Sequence, residues 1–317
     1  MTSYLARRTA QAIVVVIGVM ILTFILIHLI PGSAARAALG VHATSTRVAI
    51  FNTAYGLDKP LYTQFAGYVA QLLRGNLGIS YTTQQPVAAL IAQRLPGDIL
   101  LVGTSTVLAV AIAVPMGIYQ AVKRSRLSDQ LLDAVSFTLY TMPDFFVAFM
   151  LIALFSVQLR ILPPEAPQAT GITGLLADPR ALVLPVATLT LSNLAGFSRY
   201  MRASAIDVLA EDFLRTARAK GLPERLVVTR HVLRNSILPV VTMVGLAFPT
   251  IVAGAVIAEA VFSYQGMGLL FYQAATSHDY PVLLGTTLIV GAATVVGNLA
   301  ADLAYGLLDP RIRHGLH

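Results

Sequence analysis

The most chemically expensive residues of this 317-residue chain are ionisable side chains inside apolar runs: Asp144, Glu259, Asp302 and His28. A carboxylate near the middle of a bilayer costs about 2.5–3.5 kcal/mol even on lenient scales, so it must face a bundle interior or a water-filled path. The chemistry open to such groups is the relay of a proton or cation, or the lining of a path. Asp144 follows Pro143, where proline breaks the backbone ladder and frees carbonyls. A pathway or gate role for Asp144 and its neighbour Phe145, and a helix break that surfaces into water, account for the pattern equally well. Glu259 stands near the outer end of the fifth apolar run, and Asp302 about two turns from the inner end of the sixth. Each fits a structural partner in the bundle or a position on a pathway, and His28 fits the membrane interface.

Other site chemistries find no support in the residues. There is no GxxxxGK[ST] phosphate loop, and the dipeptide Gly-Lys does not occur. HExxH and GxSxG are missing, and the six histidines lack metal-ligand spacing. Cysteine is absent, which excludes disulfides and thiolate chemistry. The expectation is a non-catalytic chain that binds no metal and no cofactor of its own.

These residues need membrane-spanning elements to position them. Hydrophobic residues make up 56% of the chain and charged residues 12%, and the mean hydropathy is +0.73. A spanning helix needs roughly 20 apolar residues, because an unpaired backbone amide in hydrocarbon costs several kcal/mol. Six runs qualify: Ala10–Ile30, Ile99–Val122, Leu131–Leu159, Ala181–Met201, Ile237–Phe262 and Val282–Leu308. The third is long enough to be tilted or kinked. The first follows Arg7 and Arg8 like a signal peptide, but it is longer than the roughly 7–15 residues of a signal core, and is read as retained. With both termini cytoplasmic, most of the 22 lysines and arginines fall inside, and none lies between Ser263 and Pro281. The net charge of +7 is therefore chiefly a topological bias, which argues against nucleic acid as a partner. The expected organisation is a first span over residues 1–30, a folded extracytoplasmic loop over 31–97, and a five-helix core over 98–317.

Within the outer loop, GLDKPL at Gly56–Leu61 reads as a turn, Leu61–Leu73 has helical spacing, and a short helix is expected over Val87–Leu95 between Pro86 and Pro96. The loop is either an ordered cap or a docking and gating surface. Arg160–Arg180, with PPEAP and TGITG, reads as an irregular outer loop.

The stretch Arg215–Pro239 is cationic and lies between two apolar runs. Ile206, Leu209, Ala210, Phe213, Leu214 and Ala217 recur at intervals that place them on one face of a helix starting near Ala203. Gly221 suits a left-handed helix stop, Leu222 its hydrophobic contact, and Pro223 with Glu224 a new first turn. Helix, tight turn, helix follows. A DNA-binding motif is disfavoured by the flanking spans, and a lipid-resting helix by Asp207, Glu211 and Asp212. A rigid knob that fits a groove on a cytosolic protein remains as the best account, over about residues 202–236.

The chain resembles the first ("B-type") permease subunit of dipeptide and oligopeptide ATP-binding-cassette importers. The residues that carry this are LARRTAQ, GLDKPL, LLRGNLGIS, RLPGDI, RTARAKGL, RHVLRN, ILP, EAVFSYQGMG, DYP and DPRIR, spread over nearly the whole length. The resemblance implies an all-α, polytopic fold of the type I importer class with six transmembrane helices, in the bacterial cytoplasmic membrane. The family's coupling motif falls on Arg215, Thr216, Ala217, Gly221 and Ile237–Pro239, with arginine in place of the usual acid. The implied ATPase-coupling loop therefore comprises Phe213, Arg215, Thr216, Ala217, Arg218, Ala219, Lys220, Gly221, Leu222 and Pro223. It also implies a second homologous permease, two cytosolic ATPases carrying ATP and Mg, and an extracytoplasmic peptide-binding protein. Import of a nickel complex, glutathione or haem by the same fold, or ion-driven transport by the chain alone, are the alternatives.

Overall fold

The structure, a computed structural model, describes the backbone of residues 2–308 apart from 41 and 170, and side chains between residues 13 and 300. It begins with α1 (Thr2–Leu29), followed by an outer segment carrying α2 (Ala34–Leu39), α3 (Ser45–Tyr55) and α4 (Leu61–Leu73), and then the long α5 (Val87–Val122). Next come α6 (Leu127–Thr141) and α7 (Asp144–Leu151), the latter continued by a π-helical stretch, Ile152–Gln158. The short α8 (Ile172–Leu176) leads into α9 (Arg180–Leu209), α10 (Asp212–Ala219), α11 (Glu224–Leu226), a second π-helical stretch Val227–Val232, and α12 (Leu233–Ser236). The last elements are α13 (Leu238–Ala253), α14 (Val256–Val261), α15 (Met267–Thr276) and α16 (Tyr280–Leu308). Among the described residues there is no strand, only an isolated bridge between Ile79 and Pro86.

Among the described residues three helices are long and apolar enough to cross a membrane: Val87–Val122, Arg180–Leu209 and Tyr280–Ala300. Ile13–Leu29 is a shorter apolar helix. All six expected runs are helical, but the third and fifth are interrupted. The third bends by 107° between α6 and α7, at Met142 and Pro143, because proline cannot donate to the ladder and pushes its predecessor out of helical geometry. The fifth stops at Gly254, whose φ of +79° ends α13, and resumes as α14. A further bend of 44° separates the Glu224–Ser236 segment from α13.

The frame is α5 packed along α9, with α13 and α1 against α16. Between helices in lipid, close van der Waals contact replaces the hydrophobic effect, so small residues matter. Ala109 and Ala113 of α5 are fully buried against Leu194, Phe197 and Met201 of α9. Gly117 continues this row: a Cβ there would lie 2.8 Å from Ser198 O and 2.9 Å from Arg202 N.

Two expectations about helix limits are corrected. The short helix Val87–Leu95 does not stop at Pro96. It is the first part of α5, and the boundary drawn between residues 97 and 98 falls inside that helix. Proline forfeits one backbone bond, but Val87, Leu90 and Ile91 are held against Met267, Leu270, Val282 and Leu283 of α15 and α16. That packing fixes the helix direction before the proline is reached. At the cytoplasmic side α9 does not end with its apolar run at Met201 but continues to Leu209.

In the outer segment, α4 spans the expected Leu61–Leu73. The helices α2 and α3, which carry no apolar periodicity strong enough to announce them, begin at Ser33 and Thr44, whose hydroxyl oxygens accept from the amides of Arg36 and Arg47 at 3.4 Å. Phe51, Tyr55, Tyr81 and Tyr280 form a ring cluster. Beneath it the buried Asp279 accepts from Ser80 Oγ (2.6 Å), Thr82 Oγ1 (2.8 Å), Tyr81 N (3.1 Å) and Thr82 N (3.2 Å). One carboxylate thus fastens the turn before α5 to the start of α16.

Candidate coupling site and intramembrane carboxylates

The expected knob is present, with one correction. The helix entering it is not continuous from Ala203 to Ala217, because α9 ends at Leu209 and α10 starts afresh at Asp212 after an extended Glu211 (φ −71°, ψ 142°). Asp212 in the first turn suits the positive end of the helix. The break rotates the second half, so the face predicted to be shared is split. Leu214 and Ala217 are buried with Ala121, Ala205, Val227 and Val232, and Ile206, Leu209 and Leu222 pack around them. Phe213 instead is 42% exposed, its ring 6.5 Å from that of His231.

The turn follows from local chemistry. Gly221 has φ +78°, a conformation that L side chains resist. Its amide donates to Arg218 O at 2.9 Å, and the Leu222 amide reaches back to Ala217 O at 3.4 Å. This 5→2 and 6→1 pair is a Schellman stop, completed by the hydrophobic contact of Leu222. Pro223 then accepts from the amides of Leu226 and Val227 to open α11. Arg218 grips Glu224 across the turn with two bonds of 3.1 and 2.8 Å, and Arg215 stands 3.5 Å from Asp212. The outward surface is formed by Phe213, Arg215, Thr216, Ala219, Lys220 and Gly221. It is a rigid knob whose apolar underside rests on the inner ends of α5 and α9.

Glu259 is fully buried. Its Oε1 accepts from Ala255 N at 2.6 Å and its Oε2 from Leu269 N at 2.7 Å, so it bridges the start of α14 and the first turn of α15. A residue to which the sequence reading gave no role joins it. Asp98 of α5, also fully buried, accepts from Met267 N with Oδ2, while its Oδ1 has no hydrogen-bond partner among the described residues. The first amides of a helix lack intrahelical acceptors, and the helix dipole favours negative charge there, which is why two carboxylates can be held on one α15 terminus. Arg94, one turn earlier on α5, donates to Gln265 Oε1 at 2.7 Å and faces both acids. The segment EAVFSYQGMG is thereby tied to α5. Glu259 presents no surface to water in this structure.

Asp144 and Phe145 occupy the first turn of α7, immediately after the 107° bend. Asp144 is half-buried and Phe145 exposed, and neither a hydrogen bond nor an ion pair links Asp144 to Glu259. Asp302 lies on α16, but its side chain is outside the described residues, as are those of Arg7, Arg8 and the DPRIR segment. A further pair was not foreseen: Arg202 of α9 binds Asp129 of α6 through Nε and Nη2, both at 2.9 Å. The signal for Asp98 was available, since RLPGDI puts an acid at the mouth of an apolar run. The run drawn from Ile99 began one residue too late to include it.

Comparison with known proteins agrees with this architecture. Residues 113–314 match the family described as "Binding-protein-dependent transport system inner membrane component", and residues 1–102 match its N-terminal companion, "Binding-prot-dependent transport system membrane comp, N-term". The chain is 35% identical over 316 residues to the oligopeptide transport system permease protein AppB of Bacillus subtilis, covering 99% of this chain and 100% of the relative. It is 35% identical over 314 residues to the glutathione transport system permease protein GsiC of Escherichia coli K12, covering 99% and 100%.

Proposed function

Because the chain belongs to the family of binding-protein-dependent transport system inner membrane components, we propose that it forms half of the translocation pathway of an importer of short peptides. It is a multi-pass permease subunit of the bacterial cytoplasmic membrane. ATPase and binding-protein partners belong to such importers generally. For this chain the partners are a second homologous permease, two cytosolic ATPases that carry the ATP and Mg, and an extracytoplasmic peptide-binding protein. The chain itself holds no cofactor and performs no bond chemistry. The peptide substrate rests on relatives named for oligopeptide and glutathione transport, glutathione being itself a short peptide.

The observation that carries the reading is the Schellman-terminated knob. Its buried underside joins α9 to the Val227–Val232 stretch, so a push on α10 from a cytosolic partner is delivered to the long span α9 on one side and to the bent lead-in of α13 on the other. Asp144 and Phe145, at the bend of the third run, are pathway residues in this reading, as is Asp302. Glu259 acts at the outer end by holding α14 and α15 as one unit. The test is reconstitution of the chain with its candidate partners in proteoliposomes. Uptake of labelled di- to pentapeptides and glutathione that requires ATP and the binding protein supports the reading. Uptake by the chain alone that follows a proton gradient and ignores ATP overturns it.

A further inference from the structure

A cleft of about 480 Å³ opens between the C-terminal half of α6 and α9, with Asp133, Phe137, Tyr140, Arg199, Tyr200 and Arg202 on its walls. The charges in it are not equivalent. Arg202 is committed to Asp129 by two bonds. Arg199 lies over the ring of Tyr140, 5.0 Å from its centre, and neither Arg199 nor Asp133 forms an ion pair with another described residue. Neither is held by a hydrogen bond among the described residues, and Asp133 lies in the field of Arg202; both stand on the walls of a single cleft, on helices that belong to the membrane-spanning part. Charged groups in such helices whose hydrogen-bonding capacity is not taken up mark a site where a polar solute passes or rests.

Their spacing has a chemical meaning. Arg199 is stationed by Tyr140, seven residues from Asp133 along α6, which is about 10 Å of helix axis. A fully extended chain covers about 3.3–3.6 Å per residue, so about three residues bring a terminal ammonium and a terminal carboxylate to such a separation. Phe137 lies between the two stations on the same helix face, and Tyr200 faces it from α9, giving an apolar wall for side chains. An anionic lipid headgroup fits less well, because Asp133 repels it and Asp129 already neutralises Arg202.

We propose that this cleft is a recognition subsite for short zwitterionic peptides, in which Asp133 receives the terminal ammonium and Arg199 the terminal carboxylate. The proposal rests on the reading of the chain as a peptide permease and adds to it a selection for free termini within the membrane domain.

The experiment uses the complete importer in proteoliposomes with alanine di- and tripeptides, their C-amidated forms and their N-acetylated forms. Each rate is divided by that of the unsubstituted importer on the same peptide, so the binding protein's own preference cancels. Arg199→Gln is expected to slow uptake of free peptides by about 10-fold or more, the scale of a lost charge-assisted hydrogen bond. It should spare amidated peptides, and Arg199→Lys should recover most of the loss. Asp133→Asn should show the mirror pattern, sparing acetylated peptides. Equal losses for free and blocked peptides, or no loss, overturn the subsite while leaving the importer reading intact. An effect that follows the anionic-lipid content of the vesicles rather than the peptide termini assigns the cleft to lipid. An unsubstituted importer that carries no peptide overturns both.

Discussion

Gly221 offers the most direct test of coupling, because the structure separates the two ways a substitution there can act. Its φ is +78°, yet a Cβ at this position meets nothing within 4 Å. Alanine therefore adds backbone strain and no clash, worth about 1–2 kcal/mol for an L residue in left-handed geometry. Asparagine, which tolerates that geometry better, should cost less. Proline fixes φ near −65° and has no amide proton, so it also removes the 2.9 Å bond from the Gly221 amide to Arg218 O. That bond is worth about 0.5–1.5 kcal/mol. A loss of 1–2 kcal/mol shifts a local open-to-closed ratio roughly 5–30-fold. Proline goes further and abolishes the closed turn. The assay is peptide uptake and ATP hydrolysis measured together on the reconstituted complex, reported as peptide carried per ATP. The expected order is glycine, asparagine, alanine, proline, with hydrolysis continuing in the proline variant while uptake falls at least 10-fold. Co-elution of all subunits on size exclusion separates uncoupling from misassembly. A proline variant with unchanged peptide per ATP, in an assembled complex, refutes the coupling role of the turn.

Further outcomes follow from buried and exposed members of the same elements. Leu214→Ala empties a fully buried position beneath the knob and is expected to cost about 2–5 kcal/mol of local stability, read as faster amide exchange over residues 205–232. Phe213→Ala, at a partly exposed position of the same short helix, should leave that exchange unchanged and weaken retention of the ATPase subunits on a tagged permease. Asp279→Ala strands four donors at once; the turn before α5 should become the preferred site of limited proteolysis from the outer face, a loss of about 2–4 kcal/mol. Burial pushes the Tyr68 phenol up to about 12 from an ordinary 10. The folded outer segment then holds a proton that the unfolded chain releases, so its stability is full below pH 10 and declines between about 10 and 12. Because the Tyr68 hydroxyl has no hydrogen-bond partner among the described residues, Tyr68→Phe should leave stability at pH 8 nearly unchanged and flatten the alkaline decline in a thermal melt.

The sequence spoke most plainly where a local rule was sufficient by itself. The helix Leu61–Leu73, the left-handed stop at Gly221 and the contact of Leu222 depend on residues within one or two turns, and the structure has them as expected. Local rules failed where a distant contact outweighed them. Proline at 96 should end a helix, but α5 runs through it because its first turns are clamped between α15 and α16. The spacing from Ile206 to Ala217 is a sound helical face, and the chain still breaks at Ala210 and Glu211. An uninterrupted apolar face is equally compatible with two short helices meeting at an angle over one hydrophobic cluster.

The carboxylates show why a linear reading of intramembrane charge mistakes position for role. Asp98 and Glu259 are fully buried, yet each takes backbone amides from a segment that follows the interruption at Gly254: the starts of α14 and α15 for Glu259, and the start of α15 for Asp98. A broken helix in a membrane leaves amides that no water can satisfy, and a carboxyl oxygen from a neighbouring segment can accept from them. The interruptions that give this chain its bends therefore require buried acids nearby. A buried acid beside a helix break accordingly reads first as a staple for the break. Asp133 lies within α6, away from any break and without a backbone amide to hold. By that criterion it is not a staple, and its carboxylate, in the field of Arg202, carries no structural hydrogen bond among the described residues.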